Sequence, residues 1–122
     1  ILKQMLAYLH EHYTEKITLE EIASAGQISK SRCTAIFKEY LQETPINHLI
    51  SYRLTKATEL LLYTDRTVTE IAYAVGFSGS SYFTEAFRKN FDHTPTEYRR
   101  KFTVQHRADG AANSYYKVGR EH

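Results

Sequence analysis

Apolar residues recur every three or four positions from the start of this chain to Phe102, and each run ends in a short polar break. Leu2, Met5, Leu6 and Leu9 mark one helix face within Ile1–Tyr13. Thr18-Leu-Glu-Glu21 is a capping box, in which the threonine oxygen accepts from the Glu21 backbone and Glu21 reaches back to the cap. It opens a short helix carrying Leu19, Ile22, Ala23 and Ala25. Gln27 and Ile28 make a turn, and Ser29 is a good N-cap for a helix over Lys30–Leu41, whose inner face is Cys33, Ile36, Phe37 and Leu41. Thr44-Pro45 starts another helix, with proline at the first helical position, where a missing N–H costs nothing. Its stripe of Ile46, Leu49, Ile50, Leu54, Ala57, Leu60 and Leu61 carries it to about Tyr63, roughly 27 Å at the helical rise. After the polar break Thr64-Asp65-Arg66, Thr67-Val-Thr-Glu70 forms a second capping box ahead of Val68, Ile71, Ala72 and Val75. Gly76 suits the left-handed backbone of a tight turn, and Ser78 is expected to cap the following helix, with Phe83, Ala86, Phe87 and Phe91 inside. Thr94-Pro95-Thr-Glu97 is a third capping box, opening a last short helix with Tyr98 and Phe102. From Thr103 to His122 the periodicity stops, and a loosely ordered tail is expected, with Tyr115 and Tyr116 able to dock.

The pattern occurs twice. Residues 18–29 align on 67–78 at an offset of 49, and residues 31–45 on 81–95 at an offset of 50, so the second copy carries one extra residue where its second helix starts. Thr18/Thr67, Glu21/Glu70, Ile22/Ile71, Ala23/Ala72, Ser29/Ser78, Ser31/Ser81, Thr34/Thr84, Phe37/Phe87 and Pro45/Pro95 are identical pairs. Each copy is a short helix, a tight turn and a second helix, which is a helix-turn-helix; the small Ala23 and Ala72 leave room for two helices to cross steeply. The expected fold is all-α, with about seven helices. A first helix-turn-helix subdomain covers 1–43, a connecting helix 44–64, a second subdomain 65–102, and the tail 103–122. Adjacent major grooves on one face of DNA lie about 34 Å apart, a separation that a helix of this length suits.

Composition narrows the picture. With 122 residues, 42% hydrophobic and 25% charged, the chain has enough material for a core, and no apolar run approaches a membrane span. It opens at Ile1 already in helical pattern and without a signal segment, and is expected to be a fragment of something longer. A single cysteine, Cys33, excludes an internal disulfide and fits a reducing compartment. It lies on an inner stripe and reads as a small buried hydrophobe. The net charge of +2 is only mildly basic, so the placement of charge must carry any argument for nucleic acid. The six histidines, His10, His12, His48, His93, His106 and His122, show neither metal spacing nor a cysteine partner. There is no phosphate loop or Gly-x-Ser-x-Gly, so no enzyme and no cofactor is expected.

Over Leu2–Phe102 the chain resembles the AraC/XylS family of bacterial transcription regulators, most specifically in IAYAVGFSGSSYFTEAFRKNFDHTPTEYRR, residues 71–100. Arg53-Leu-Thr-Lys-Ala57 with Leu60-Leu61-Leu62 is similar to the family's connecting helix. The resemblance implies two helix-turn-helix subdomains in adjacent major grooves of double-stranded promoter DNA, in a bacterial cytoplasmic protein that contacts RNA polymerase. It also implies an effector-binding or dimerisation domain outside this stretch. Two positions depart from the family's habit of a long donor: Ala35 in the first recognition helix and Glu85 in the second. Alanine offers only apolar contact, and glutamate can accept from cytosine N4.

The side of each recognition helix opposite its core stripe is the candidate DNA face. Expected base readers are Ser31, Arg32, Thr34 and Ala35 in the first and Ser80, Ser81, Tyr82, Thr84 and Glu85 in the second. Lys30, Lys38, Arg53, Lys56, Arg88, Lys89, Arg99 and Arg100 are candidates for phosphate contacts, and helix N-termini at Thr18, Thr67 and Pro95 add backbone donors. The competing reading is a helical protein-interaction module, gripping RNA polymerase or a partner domain, with weakened DNA affinity; Ala35 and Glu85 favour it.

Overall fold

The computed structural model describes the backbone of residues 1–112 and the side chains of residues 1–103. Seven α-helices and no strand occur among the described residues: α1 (Leu2–His12), α2 (Leu19–Ala25), α3 (Lys30–Leu41), α4 (Pro45–Tyr63), α5 (Val68–Ala74), α6 (Ser80–Phe91) and α7 (Pro95–Ala112). The all-α fold of two helix-turn-helix units is therefore as the periodicity implies. The chain divides into two compact units, Ile1–Thr55 and Lys56–His122, and the division falls inside α4.

In the first unit the capping box closes as its residues dictate. Thr18 Oγ1 accepts from the Glu21 N–H at 3.2 Å, and Glu21 Oε1 accepts from the Thr18 N–H at 2.9 Å. The helix stops because the Ile28 N–H turns back to the Ala23 carbonyl at 3.1 Å, around Gln27 in the left-handed region at φ 59°. Ser29 then caps α3, its hydroxyl accepting from the Arg32 N–H at 3.2 Å. Met5 and Leu9 of α1, Ile22 and Ala23 of α2, Cys33 and Phe37 of α3 and Leu49 of α4 make the core. The approach of α1 is close enough that a Cβ on Gly26 would stand 2.7 Å from Met5 Cγ.

The second unit repeats these devices. Thr67 and Glu70 close their box at 3.1 and 2.9 Å, and the Phe77 N–H returns to the Ala72 carbonyl at 2.9 Å around Gly76, φ 104°. Its core is a run of rings, with centroids of Phe77–Phe83, Phe83–Phe87, Phe87–Tyr98 and Tyr98–Phe102 4.6 to 5.7 Å apart. Positions 31–47 and 81–97 are buried, half-buried and exposed in the same order throughout. Both recognition helices even end alike, at Gln42 (φ 57°) and Asp92 (φ 61°).

Two local expectations are corrected. Gly79, not Ser78, is the N-cap of α6, and it offers no side-chain bond. The extra residue sits between the turn and the helix, which moves Ser78 one place ahead of the cap position that Ser29 fills in the first unit. The last helix is also not short: the third capping box, Thr94 with Glu97, opens it, and the backbone runs on as helix to Ala112. Residues 113–122 of the expected tail, with Tyr115, Tyr116 and His122, lie outside the described residues.

The two turns differ in strain. A non-glycine residue held left-handed costs about 1–2 kcal/mol, which Gly76 escapes and Gln27 does not. Gln27→Gly is expected to raise stability by about 1 kcal/mol, and Gly76→Ala to lower it by a similar amount. Urea unfolding followed by circular dichroism checks both; destabilisation by Gln27→Gly would show that the amide side chain makes good the strain.

Candidate nucleic-acid interface

Each recognition helix turns two fully buried residues inward four positions apart, Cys33 and Phe37 in α3, Phe83 and Phe87 in α6. The helical period then puts the candidate readers outside. In α3, Ser31, Arg32, Ala35 and Lys38 are exposed and Thr34 is half-buried; in α6, Ser81, Tyr82, Glu85 and Arg88 are exposed and Ser80 and Thr84 half-buried. Tyr82 rests its ring against Phe77, centroids 5.8 Å apart, so it stands out from the helix on a buried footing.

The two faces share shape but not charge. Arg32, Ala35 and Lys38 of the first correspond to Tyr82, Glu85 and Arg88 of the second. In α6 the Arg88 guanidinium lies 3.4 Å from the Glu85 carboxylate, one turn away, which partly offsets its charge. Lys30 reaches Glu20 across the turn of the first unit at 3.5 Å. Lys38, Lys89 and Arg100 are exposed and Lys56 is half-buried.

Two of the expected phosphate contacts are engaged inside the protein. Arg53 Nε donates to the Tyr13 carbonyl and its terminal N–H to the Glu15 carbonyl, both at 2.8 Å. Arg99 does the same with the carbonyls of Leu61, 3.0 Å, and Thr64, 3.1 Å. A signal for this was present: Arg53 stands three after Ile50 and four before Ala57, and Arg99 four after Pro95 and three before Phe102, so both lie on apolar stripes.

At the three helix N-termini closed by a capping box the N-cap and third backbone N–H groups are already bonded within the box, so a phosphate there would meet only the donors between them. His48, where the second unit has Tyr98, places Nδ1 2.9 Å from Glu43 and Nε2 3.3 Å from His10 Nε2, while His10 stacks on Tyr52 at 4.0 Å. Spacing along the chain did not reveal this pairing of α1 with α4. Burial raises the Cys33 thiol pKa, in keeping with a core role. Among the described residues no three His, Cys, Asp or Glu side chains are grouped to hold a metal ion, and no helix is long and apolar enough to cross a membrane.

Comparison with known proteins agrees with this geometry. A family model described as a helix-turn-helix domain matches residues 22–101. The chain is 46% identical over 99 residues to YdeC, an HTH-type transcriptional regulator of Bacillus subtilis (strain 168), covering 81% of this chain and 34% of that one. It is 37% identical over 98 residues to the HTH-type transcriptional activator RhaS of Enterobacter sp. (strain 638), covering 80% and 35%. Its fold matches the DNA-binding domain of AdpA, a global transcriptional factor solved with a target DNA, at a TM-score of 0.81 and 26% identity over 85% of this chain and 94% of that one. The C-terminal domain of AraT, a response regulator from Geobacillus stearothermophilus, matches at a TM-score of 0.77 and 33% identity, covering 82% and 84%. The two units thus define a double helix-turn-helix domain. The chain belongs to the AraC-type family of helix-turn-helix transcription regulators, and it spans about a third of the length of the curated relatives it matches.

The third capping box makes one pH-dependent contribution. Glu97 has its carboxyl pKa lowered, first because its carboxylate accepts the Thr94 backbone N–H, then through the Thr94 hydroxyl and the positive charges of His93 and Arg100. A folded value below the unfolded one means the box supports α7 above the ordinary glutamate range, and that support is lost as pH falls through the lowered value. Carboxyl NMR should find Glu97 titrating at lower pH than in the unfolded chain, and Thr94→Ala, which removes the hydroxyl and leaves the backbone N–H, should move it up only in part. A parental Glu97 titrating at the unfolded-chain value would mean the hydrogen bonds of the box do not lower it.

Proposed function

We propose that this stretch is the sequence-specific, double-stranded DNA-binding domain of a bacterial transcription activator, with α3 and α6 each entering a major groove. The observation that carries the reading is the matched burial of 31–47 and 81–97, which turns two equivalent polar helix faces outward from two different cores. The regulators named above supply the context, AdpA's domain having been solved with its DNA. Base edges are assigned to Ser31, Arg32, Thr34 and Ala35 in one box and Ser80, Ser81, Tyr82, Thr84 and Glu85 in the other. Phosphates are assigned to Lys30, Lys38, Lys56, Arg88, Lys89 and Arg100. RNA polymerase is the protein partner, and an effector-binding or dimerisation domain lies in the rest of the protein, which works in the cytoplasm. The Glu85–Arg88 pair favours a second reading for the second unit alone, a face that meets a protein rather than DNA.

Selection of duplexes from a random pool at about 0.15 M salt should enrich an asymmetric site of two boxes about one helical turn apart. Enrichment of a single box that Thr34→Ala shifts and Ser81→Ala does not would assign α6 to the protein partner, and no enrichment with weak salt-sensitive binding would end the sequence-specific reading. Lys38→Ala and Arg88→Ala should each weaken binding to all sequences and lower the salt slope by about 0.9. Glu85→Ala should strengthen binding to unrelated duplexes, since it frees Arg88 and removes a like charge from the phosphates, and should erase the base preference at the position Glu85 reads. Thr34→Ala or Ser81→Ala should shift base preference more than overall affinity, read by repeating the selection.

A further inference from the structure

Arg53 and Arg99 use their guanidinium groups in the same way from positions the repeat does not relate. In the alignment of the two units at an offset of 50, Arg53 corresponds to Thr103 and Arg99 to Leu49. Yet the carbonyls held by their terminal nitrogens, those of Glu15 and Thr64, are equivalent at the offset of 49. Each of these carbonyls lies three residues before an N-cap threonine, Thr18 or Thr67, and so in the strand of backbone that delivers the first helix of a helix-turn-helix. The carbonyls held by Nε, of Tyr13 and Leu61, belong to the ends of α1 and α4, where helix carbonyls lack intrahelical partners and a cation is favoured. Each guanidinium comes from the helix that follows a recognition helix, α4 or α7. It ties that helix to the entry of the same unit, and the two helices of the motif are bracketed between the two ends of the tie.

The geometry points to Arg53 and Arg99 as positioning residues for DNA binding: each fixes the angle at which its unit's helix-turn-helix is presented, and neither works by contacting phosphate. This rests on the DNA-binding reading above. A planar group donating from Nε and a terminal nitrogen at once fixes two carbonyls in one plane, which a lysine ammonium cannot do while keeping the same charge. Charge and geometry are therefore separable by Arg→Lys.

The test is binding of the selected duplex by Arg53→Lys, Arg53→Gln, Arg99→Lys and Arg99→Gln, well below each variant's melting temperature, across a salt series and with footprinting. Affinity should fall roughly tenfold, the size of losing one base pair's readout, in the lysine as well as the glutamine variants. The salt slope should stay at the parental value, and Arg53 and Arg99 variants should lose protection in different boxes. If lysine restores binding and glutamine cuts the slope by about 0.9, the arginines contact phosphate and the inference is overturned. It is equally overturned if all four variants bind as the parent does and only melt earlier, since the ties then serve stability alone. Repeating the Arg53 pair in a Gln27→Gly background keeps the measurement possible if the single variants unfold. Lys38→Ala and Arg88→Ala run alongside: if they too leave binding unchanged, the DNA reading itself has failed, and this inference falls with it.

Discussion

Everything the recognition helices present depends on α2 and α5 stopping where they do. A helix has no intrinsic reason to end after seven residues. Here the end is made by one backbone position forced to positive φ, Gln27 or Gly76, and by one N–H returned to the carbonyl of Ala23 or Ala72. Shift that position by one residue and the next helix leaves about 100° further round, with its polar face turned elsewhere. The capping boxes at Thr18 and Thr67 fix the other end of the same short helices. With both ends set by local chemistry, little freedom remains for packing to decide.

Given that frame, the two cores are filled differently. Cys33 stands where the second unit has Phe83, His48 where it has Tyr98, and Gly26, with Met5 against it, where it has Val75. The first core makes up volume with side chains from α1, and the second with rings packed tilted and edge-to-face. Interiors must be filled to near-crystalline density, but the filling need not come from the same position. That the outward order of positions survives such different interiors shows the backbone trace, rather than any one core residue, to be the conserved quantity between the two copies.

Much of this was legible in the sequence because the signals were local. Lys30–Leu41 and the start of α4 at Pro45 follow from Ser29, Thr44-Pro45 and the apolar spacing, and the inner and outer sides of both recognition helices follow from the period alone. Ser78 looks like Ser29 and points to a start of α6 one residue too early, and only a register count across the extra residue separates them. The end of α7 was hidden because 103–112 lacks a stripe, so nothing in its pattern demands a helix. Arg53 and Arg99 carried two signals at once in the candidate site. Their charge suggested DNA, whereas their place on an apolar stripe decided their partners. The His10–His48 contact, between residues 38 apart in sequence, left no local trace.

The continuity of α4 has a consequence of its own. Its first half gives Leu49 to the core of the first unit, while Ala57 and Leu61 are buried in the second. Starting a helix is costly and lengthening one is cheap, so a half that stays folded is a ready-made nucleus for the other. By that argument a unit that melts leaves a helix end from which its share of α4 can regrow without a new start.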